Sequence, residues 1–409
     1  MATATGFAYT ARDATGKVVK GRIEASSESA VVSKLRTMGV SPISVKEAGT
    51  GTGLQMELNF GNGAKRVKLK DLAVMARQMA TMIGAGLSLI RTIAILAEQT
   101  ENKELARLLG VVRADIEQGS PLSDSFAKHP KVFPPIMIHL VRAGEVGGFL
   151  DKSLIGVAQT FEADVKLRGE IKSALTYPVV VLIMAIVASF AMIIFVVPVF
   201  QKMFDGLGGE LPLPTQFLVV LSQNMVWIAP VLIVGIVLLV SWWRANGHKE
   251  SVRARIDPIK LKLPVFGDLM KKVAIARFSR NFSTMLGSGV PIMQALGIVG
   301  ETSGNYVIEQ ALKKVQESVR QGKSVAGPLS EEPVFPNMVV QMIAVGEDSG
   351  SLEIMLDKVG DFYEAEVEAT TKALTSLIEP LMIAVIGIVV GGMVVALYLP
   401  TFSIYDQIK

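Results

Sequence analysis

Apolar positions recur along this chain with two different periods. Within residues 6–46, "FAYTA" and "VVKGRIEA" alternate apolar and polar around the turn "RDATGK", which predicts two paired strands. "ESAVVSKLRTMG" follows with helical spacing, Ser26 or Ser27 available as N-cap and Gly39 placed to end it, and "SPISVKE" predicts a short closing strand. Residues 48–66 are glycine-rich and read as a linker. Beyond it the period is helical. Leu72, Met75, Met79, Met82 and Ile83 share one face, as do Leu105, Leu108, Leu109, Val112 and Ile116. After the broken stretch "HPKVFPP", residues Leu150, Leu154, Val157, Phe161 and Val165 carry helical spacing toward a long apolar run.

Three runs have no charge at all: Ser173–Gln201, Leu211–Trp243 and Pro380–Tyr405. Each exceeds the roughly 20 helical residues that cross a hydrocarbon core, and backbone in lipid must bond internally, so three transmembrane helices are expected. Composition agrees: half of the 409 residues are apolar and 19% are charged. The charges are unevenly placed. Arg244–Arg280 holds ten basic residues against three acids, and Lys166, Arg168 and Lys172 precede the first run. The positive-inside tendency therefore predicts a cytoplasmic N-terminus, a cytoplasmic 244–378 segment and an external C-terminus. No apolar segment of signal-peptide type follows Met1.

The helical part is written twice. "TMIGAGLSLI" at 81–90 returns as "TMLGSGVPIM" at 284–293, a spacing of 203 residues. Glu98 then matches Glu301, Asn102 matches Asn305, and "EQG" at 117–119 meets "RQG" at 320–322. One residue is lost, and at an offset of 202 "VFP" meets "VFP", "RAGEVGGFL" meets "AVGEDSGSL", Phe161-Glu162 meets Tyr363-Glu364 and Pro178 meets Pro380. The reading is a mainly α polytopic membrane protein. It has a small α+β module (1–47), a linker (48–69), a first cytoplasmic helical bundle (70–172) and a first span (173–201). A short external loop (202–215), a returning span (216–243), a basic connector (244–273), a second homologous bundle (274–378) and a third span (379–405) complete it.

Chemistry is sparse. There is no cysteine, and His129, His139 and His248 form no close metal-ligand pair. "GKS" at 322–324 lacks the P-loop glycine, since Glu317 stands in its place. The basic segment has no interleaved aromatics, so it reads as a membrane flank and not as a nucleic-acid surface. No catalytic, cofactor or metal residue is assigned.

What remains are turns and acids. Gly84 and Gly287 suit a left-handed helix cap, and Gly86 and Gly289 a tight reversal into the next helix. Gly144 and Gly346 begin a break before the long helix, with Pro178 and Pro380 at the membrane entrance. Glu145 and Glu347 either cap the start of that long helix or offer an acidic corner to a basic partner. Glu379 is a carboxylate at the mouth of the third span, snorkelling or capping there, or meeting a partner.

These motifs together resemble the type II secretion F / type IV pilus C family of inner-membrane platform proteins over nearly the whole chain. The carriers are "FAYTARDATGKVVKGRIEASS", the twin "RQMATMIGAGLSLI" and "RNFSTMLGSGVPIM", the doubled "VFP…GE…G…L", "ELPLPT" and "YLPTFSIYD". The resemblance implies a homo-oligomeric platform without enzyme activity. Its bundles would meet a hexameric assembly ATPase, its spans would handle pilin or pseudopilin subunits, and other alignment-complex proteins would join it. A divalent cation has been seen in such bundles, but the resemblance supplies no ligands for one here. A type IV pilus is the leading assignment and a type II secretion pseudopilus the near alternative. A parallel-repeat transporter is disfavoured, because the spans hold no charge at mid-depth.

Overall fold

The computed structural model describes residues 5–12, 18–25, 27–37, 39–47, 66–205, 212–247 and 249–407. Residues 13–17 of the "RDATGK" turn, His248, residues 48–65 of the expected linker and residues 206–211 of the expected external loop lie outside the described residues. The chain divides into two units, Met1–Gly63 and Ala64–Lys409.

The first unit is a three-stranded antiparallel sheet, order β2-β1-β3, of β1 (Thr5–Arg12), β2 (Val18–Ala25) and β3 (Ser41–Glu47). Helix α1 (Glu28–Thr37) covers one face, burying Val31 and Leu35 against Phe7 and Ala25. This is the small α+β module that the alternation predicts.

The second unit opens with α2 (Leu69–Gly84), α3 (Leu89–Gln99), α4 (Lys103–Glu117), α5 (Leu122–Ala127) and α6 (Pro135–Gly147). Helix α7 (Leu150–Ala191) passes through a π-helical turn at Met192–Val196 and continues as α8 (Val197–Asp205). Helix α9 (Leu213–Asn246) is followed by α10 (Glu250–Lys262). The second copy then repeats the plan: α11 (Phe266–Gly287), α12 (Ile292–Thr302), α13 (Tyr306–Arg320), α14 (Ala326–Ser330), α15 (Asn337–Asp348) and α16 (Leu352–Gln407). Asn102 and Asn305, paired by the repeat, cap α4 and α13 by accepting two backbone N–H groups each.

Both bundles share one apolar core, from Met75, Met79 and Phe126 in the first to Phe278, Phe282 and Phe335 in the second. Three helical stretches are long and apolar enough to cross a membrane: Leu150–Met203, Leu213–Asn246 and Leu352–Pro400. The first is 54 residues long. At 1.5 Å per residue it extends about 80 Å, far beyond the roughly 30 Å of hydrocarbon. Its N-terminal part is therefore bundle, its C-terminal part is span, and the chain does not break between them.

Pro178 and Pro380 stand inside α7 and α16. They are the residues expected at the membrane entrance, and both long helices are continuous through them. A proline in a helix forfeits one hydrogen bond, and a long helix that is anchored in a bundle at one end continues past it.

Two further prolines explain how the spans meet. In the π-helical turn Val197 N–H donates to the Met192 carbonyl. The next carbonyl in that register, Ile193, faces Pro198, which has no N–H, and the Ser222 hydroxyl of α9 donates to it at 2.7 Å. Pro400 likewise forfeits the bond to the Ala396 carbonyl, and the buried Thr215 hydroxyl of α9 donates there. Around these contacts Ile193, Val197, Leu218, Met225, Met393 and Leu397 form a small buried cluster. Helix α9 is thus fastened to the other two spans at carbonyls freed by Pro198 and Pro400, two prolines that the repeat pairs.

Candidate functional site

The doubled corner between bundle and long helix is built from the Gly-Glu pairs. Gly144 lies within α6, where a Cβ would meet the Leu150 Cα at 2.9 Å. Gly346 lies within α15, where a Cβ would meet the Leu352 Cα at 2.8 Å. The missing side chains let α6 and α15 lie directly on the first turns of α7 and α16. The chain turns a few residues later, at Gly148 (φ 75°) and Gly350 (φ 65°). Gly144 and Gly346 are therefore close-approach positions and not the break itself, which corrects the sequence reading.

The adjoining acids are also placed differently from expectation. Glu145 Oε1 and Oε2 accept the Leu122 and Ser123 N–H groups at 2.5 and 3.0 Å. Glu347 Oε1 and Oε2 accept the Val325 and Ala326 N–H groups at 2.7 and 3.2 Å. Each carboxylate caps the short helix α5 or α14 and not the long helix. Burying a short helix leaves its first N–H groups without partners, and a carboxylate arriving from the next helix satisfies two at once. Both carboxylates belong to half-buried residues and are engaged by these hydrogen bonds within the fold.

The glycine pairs after α2 and α11 divide their roles in the opposite order to the one expected. Gly86 (φ 87°) and Gly289 (φ 68°) hold the left-handed conformation, while Gly84 and Gly287 end the helices. Gly86 N–H donates to Ile83 O and Leu87 N–H to Met82 O; Gly289 and Val290 repeat the pattern on Leu286 and Met285. This is the two-bond cap whose left-handed residue follows the last helical residue by two.

An ion-pair strut, which the sequence reading missed, ties each bundle to its long helix. Arg77 grips Glu162 through both carboxylate oxygens, at 2.7 and 2.6 Å. Its repeat partner Arg280 holds Glu364 at 2.9 Å, Asp361 at 2.6 Å, and also Asp357. Burial works against the Arg280 charge, but Asp361 and Glu364 outweigh it and its pKa is raised. The available signal was an arginine opening both twin phrases together with a glutamate after Phe161 and Tyr363.

Between the bundles lies a cavity of about 570 Å³ lined by Thr160, Asp164, Arg168, Arg277, Asn281 and Glu301, among others. Arg277 of α11 reaches Asp164 of α7 at 2.6 Å, and Arg168 shares that carboxylate at 2.9 Å. Burial pushes the Arg277 guanidinium below its ordinary pKa, with Asp164 opposing. Asp164 thus serves two cations in the cavity wall. Among the described residues no cluster of three or more His, Asp or Glu is arranged to hold a metal ion. Glu379 is exposed on α16, in mid-helix, where it caps no terminus.

Comparison with known proteins decides the family. The family model described as type II secretion system protein F matches twice, over residues 75–198 and 278–400, and the N-terminal domain of the same protein matches residues 1–46. The chain belongs to the type II secretion system protein F family. The two matches begin and end at positions that the internal repeat pairs. The type IV pilus assembly protein PilC of Myxococcus xanthus is 40% identical, over 98% of this chain and 96% of its own length. PilC of Thermus thermophilus is 41% identical, over 98% and 99%. The type II secretion system protein F of Vibrio cholerae is 32% identical, over 96% and 97%. With three apolar spans, this family member is a multi-pass membrane platform protein.

Proposed function

We propose that this chain is the inner-membrane platform of a type IV pilus assembly machine. Its bundles receive motion from a hexameric cytoplasmic ATPase, and its spans deliver that motion to pilin subunits. The observation that carries the reading is the continuity of α7 and α16, each running from a bundle corner into the membrane without a break. A displacement of the bundle is then a displacement of the span. The higher identity to the pilus relatives favours a pilus over a secretion pseudopilus. The basic flanks support a cytoplasmic N-terminus, cytoplasmic bundles and an external C-terminus. Glu379, exposed where α16 meets the bilayer, is the acid proposed to meet a partner.

Deletion of the gene, with the intact gene restored as control, tests this. Electron microscopy is expected to show surface filaments lost while secreted proteins stay unchanged on a gel. Secreted proteins lost with filaments intact would move the chain to the secretion system. Both persisting, in a strain with no second platform gene, would overturn the platform reading.

A further inference from the structure

We propose that the corner between α10 and α11 is a lipid-binding wedge. The run Leu263–Phe266 enters the leaflet on the bundle side of the membrane, and basic residues around it meet anionic phospholipid headgroups.

Helix α10 is inside out for a helix on a soluble surface. Its buried residue is Asp257, which accepts the Tyr306 N–H at 3.0 Å and the Lys260 ammonium at 2.8 Å. Arg253 reaches Glu309 of α13 at 3.1 Å. Ile259, two residues after Asp257 and so across the helix, is exposed. Leu263, Pro264, Val265 and Phe266 then follow without a buried residue among them, and Met270 stands exposed a turn later. The side chains of Ile259, Leu263, Val265, Phe266 and Met270 are between 40% and 60% exposed. A continuous apolar run of this kind marks a surface that is covered in the working protein.

The backbone holds the run outward under strain. Val265 has φ 67° and ψ −53°, and among the described residues it alone, glycine apart, has a positive φ. A β-branched residue is an outlier there. Phe266 N–H donates to the Pro264 carbonyl at 2.8 Å and closes a three-residue turn. Gly267 is buried behind the turn, where a Cβ would collide with the Leu261 carbonyl. Strain kept in so tight a corner points to a role for the side chains that it displays.

Two independent contacts set the depth of the corner. Lys260 Nζ lies 5.6 Å over the ring of Trp243, the last residue of the second charge-free run. On the other side α11 runs antiparallel to α16. Ser283 bonds to the Glu353 carbonyl, Arg280 to Asp361 and Lys272 to Glu366, and Leu269 shares a buried cluster with Leu374. Phe266, one turn before Leu269, is therefore level with about Leu377, just short of the charge-free run that opens at Pro380. The corner stands at the mouths of two spans. Arg244, Lys249, Arg255 and Lys262 are exposed on the same connector, against Glu250 and Asp268. Apolar side chains, tryptophan and an excess of basic charge at one level are the chemistry of a lipid interface with anionic headgroups. Lipid is therefore the occupant.

The chain has no cysteine, so single labelling sites can be introduced without removing any. Leu263→Cys and Phe266→Cys, each in the full-length protein, receive a nitroxide spin label. They are reconstituted in phosphatidylcholine vesicles with and without phosphatidylglycerol. Collision with oxygen, which concentrates in lipid, is compared with collision with a neutral nickel chelate, which stays in water. Leu238→Cys in α9 and Val111→Cys in α4, both exposed on the chain, are the lipid and water references. With phosphatidylglycerol present, the oxygen-to-nickel ratio at the Leu263 and Phe266 sites is expected to exceed that at the Val111 site several-fold. Without it, or with Arg255→Glu and Lys262→Glu added, the ratio should fall. Ratios equal to that at the Val111 site in every vesicle would overturn the wedge. Shielding from both collision partners would give the surface to a protein chain and overturn it as well. A ratio indifferent to phosphatidylglycerol would overturn the headgroup contact.

Discussion

Gly346→Val is expected to lower the stability of the detergent-solubilised protein by about 3 kcal/mol, the upper part of the range for overpacking. The new side chain would start with a Cβ 2.8 Å from the Leu352 Cα and 3.0 Å from the Met355 Cγ. The first neighbour is backbone in the opening turn of α16, so no rotamer change relieves the clash. The helix itself must move. Gly144→Val should behave alike, since its Cβ would meet the Leu150 Cα at 2.9 Å. Gly110→Ala in α4 has open space around the new methyl and is expected to gain about 0.5–1 kcal/mol. Thermal unfolding of the three variants beside the parent chain checks the order. Equal midpoints for Gly346→Val and the parent would show that α15 does not rest on α16 as described.

Glu347→Ala is expected to cost about 1.5–3 kcal/mol, the range for hydrogen bonds to a charged group. Its carboxylate accepts the Val325 and Ala326 N–H groups, which open α14. Alanine leaves both donors without a partner in a half-buried corner. Glu347→Gln keeps one acceptor oxygen and should lose about half as much. Amide hydrogen exchange reads this locally. Val325 and Ala326 should exchange faster in Glu347→Ala, with Glu145→Ala doing the same at Leu122 and Ser123. Unchanged exchange at these amides would remove the capping role.

Much of the architecture was legible because it rests on periodicity and length. Three charge-free runs gave three spans, and the helical spacing of Leu150 through Val165 led α7 toward the membrane. The twin phrases located both bundles. What escaped depends on which neighbour a residue meets in space. A Gly-Glu pair before a long helix looks like a local break, but Glu145 reaches back to the start of α5 and Gly144 clears room for α7. Proline in a chain of apolar residues looks like a beginning. Only the fold shows that Thr215 and Ser222 supply donors where Pro400 and Pro198 withhold them. The exchange of roles between Gly84 and Gly86 turns on a single positive φ, which two glycines two residues apart cannot disclose.

The central claim is that bundle and span move as one body along α7 and α16. It is tested most directly by interrupting α16 between Lys372 and Glu379 in a strain that depends on this gene for filaments. One variant receives a flexible Gly-Ser insert and the other a helical Ala-Glu insert of about seven residues, roughly two turns, which restores the face of the helix. Filaments counted by electron microscopy, at matched membrane levels of the protein, should disappear with the flexible insert and persist with the helical one. Wild-type filament numbers with the flexible insert would contradict the account.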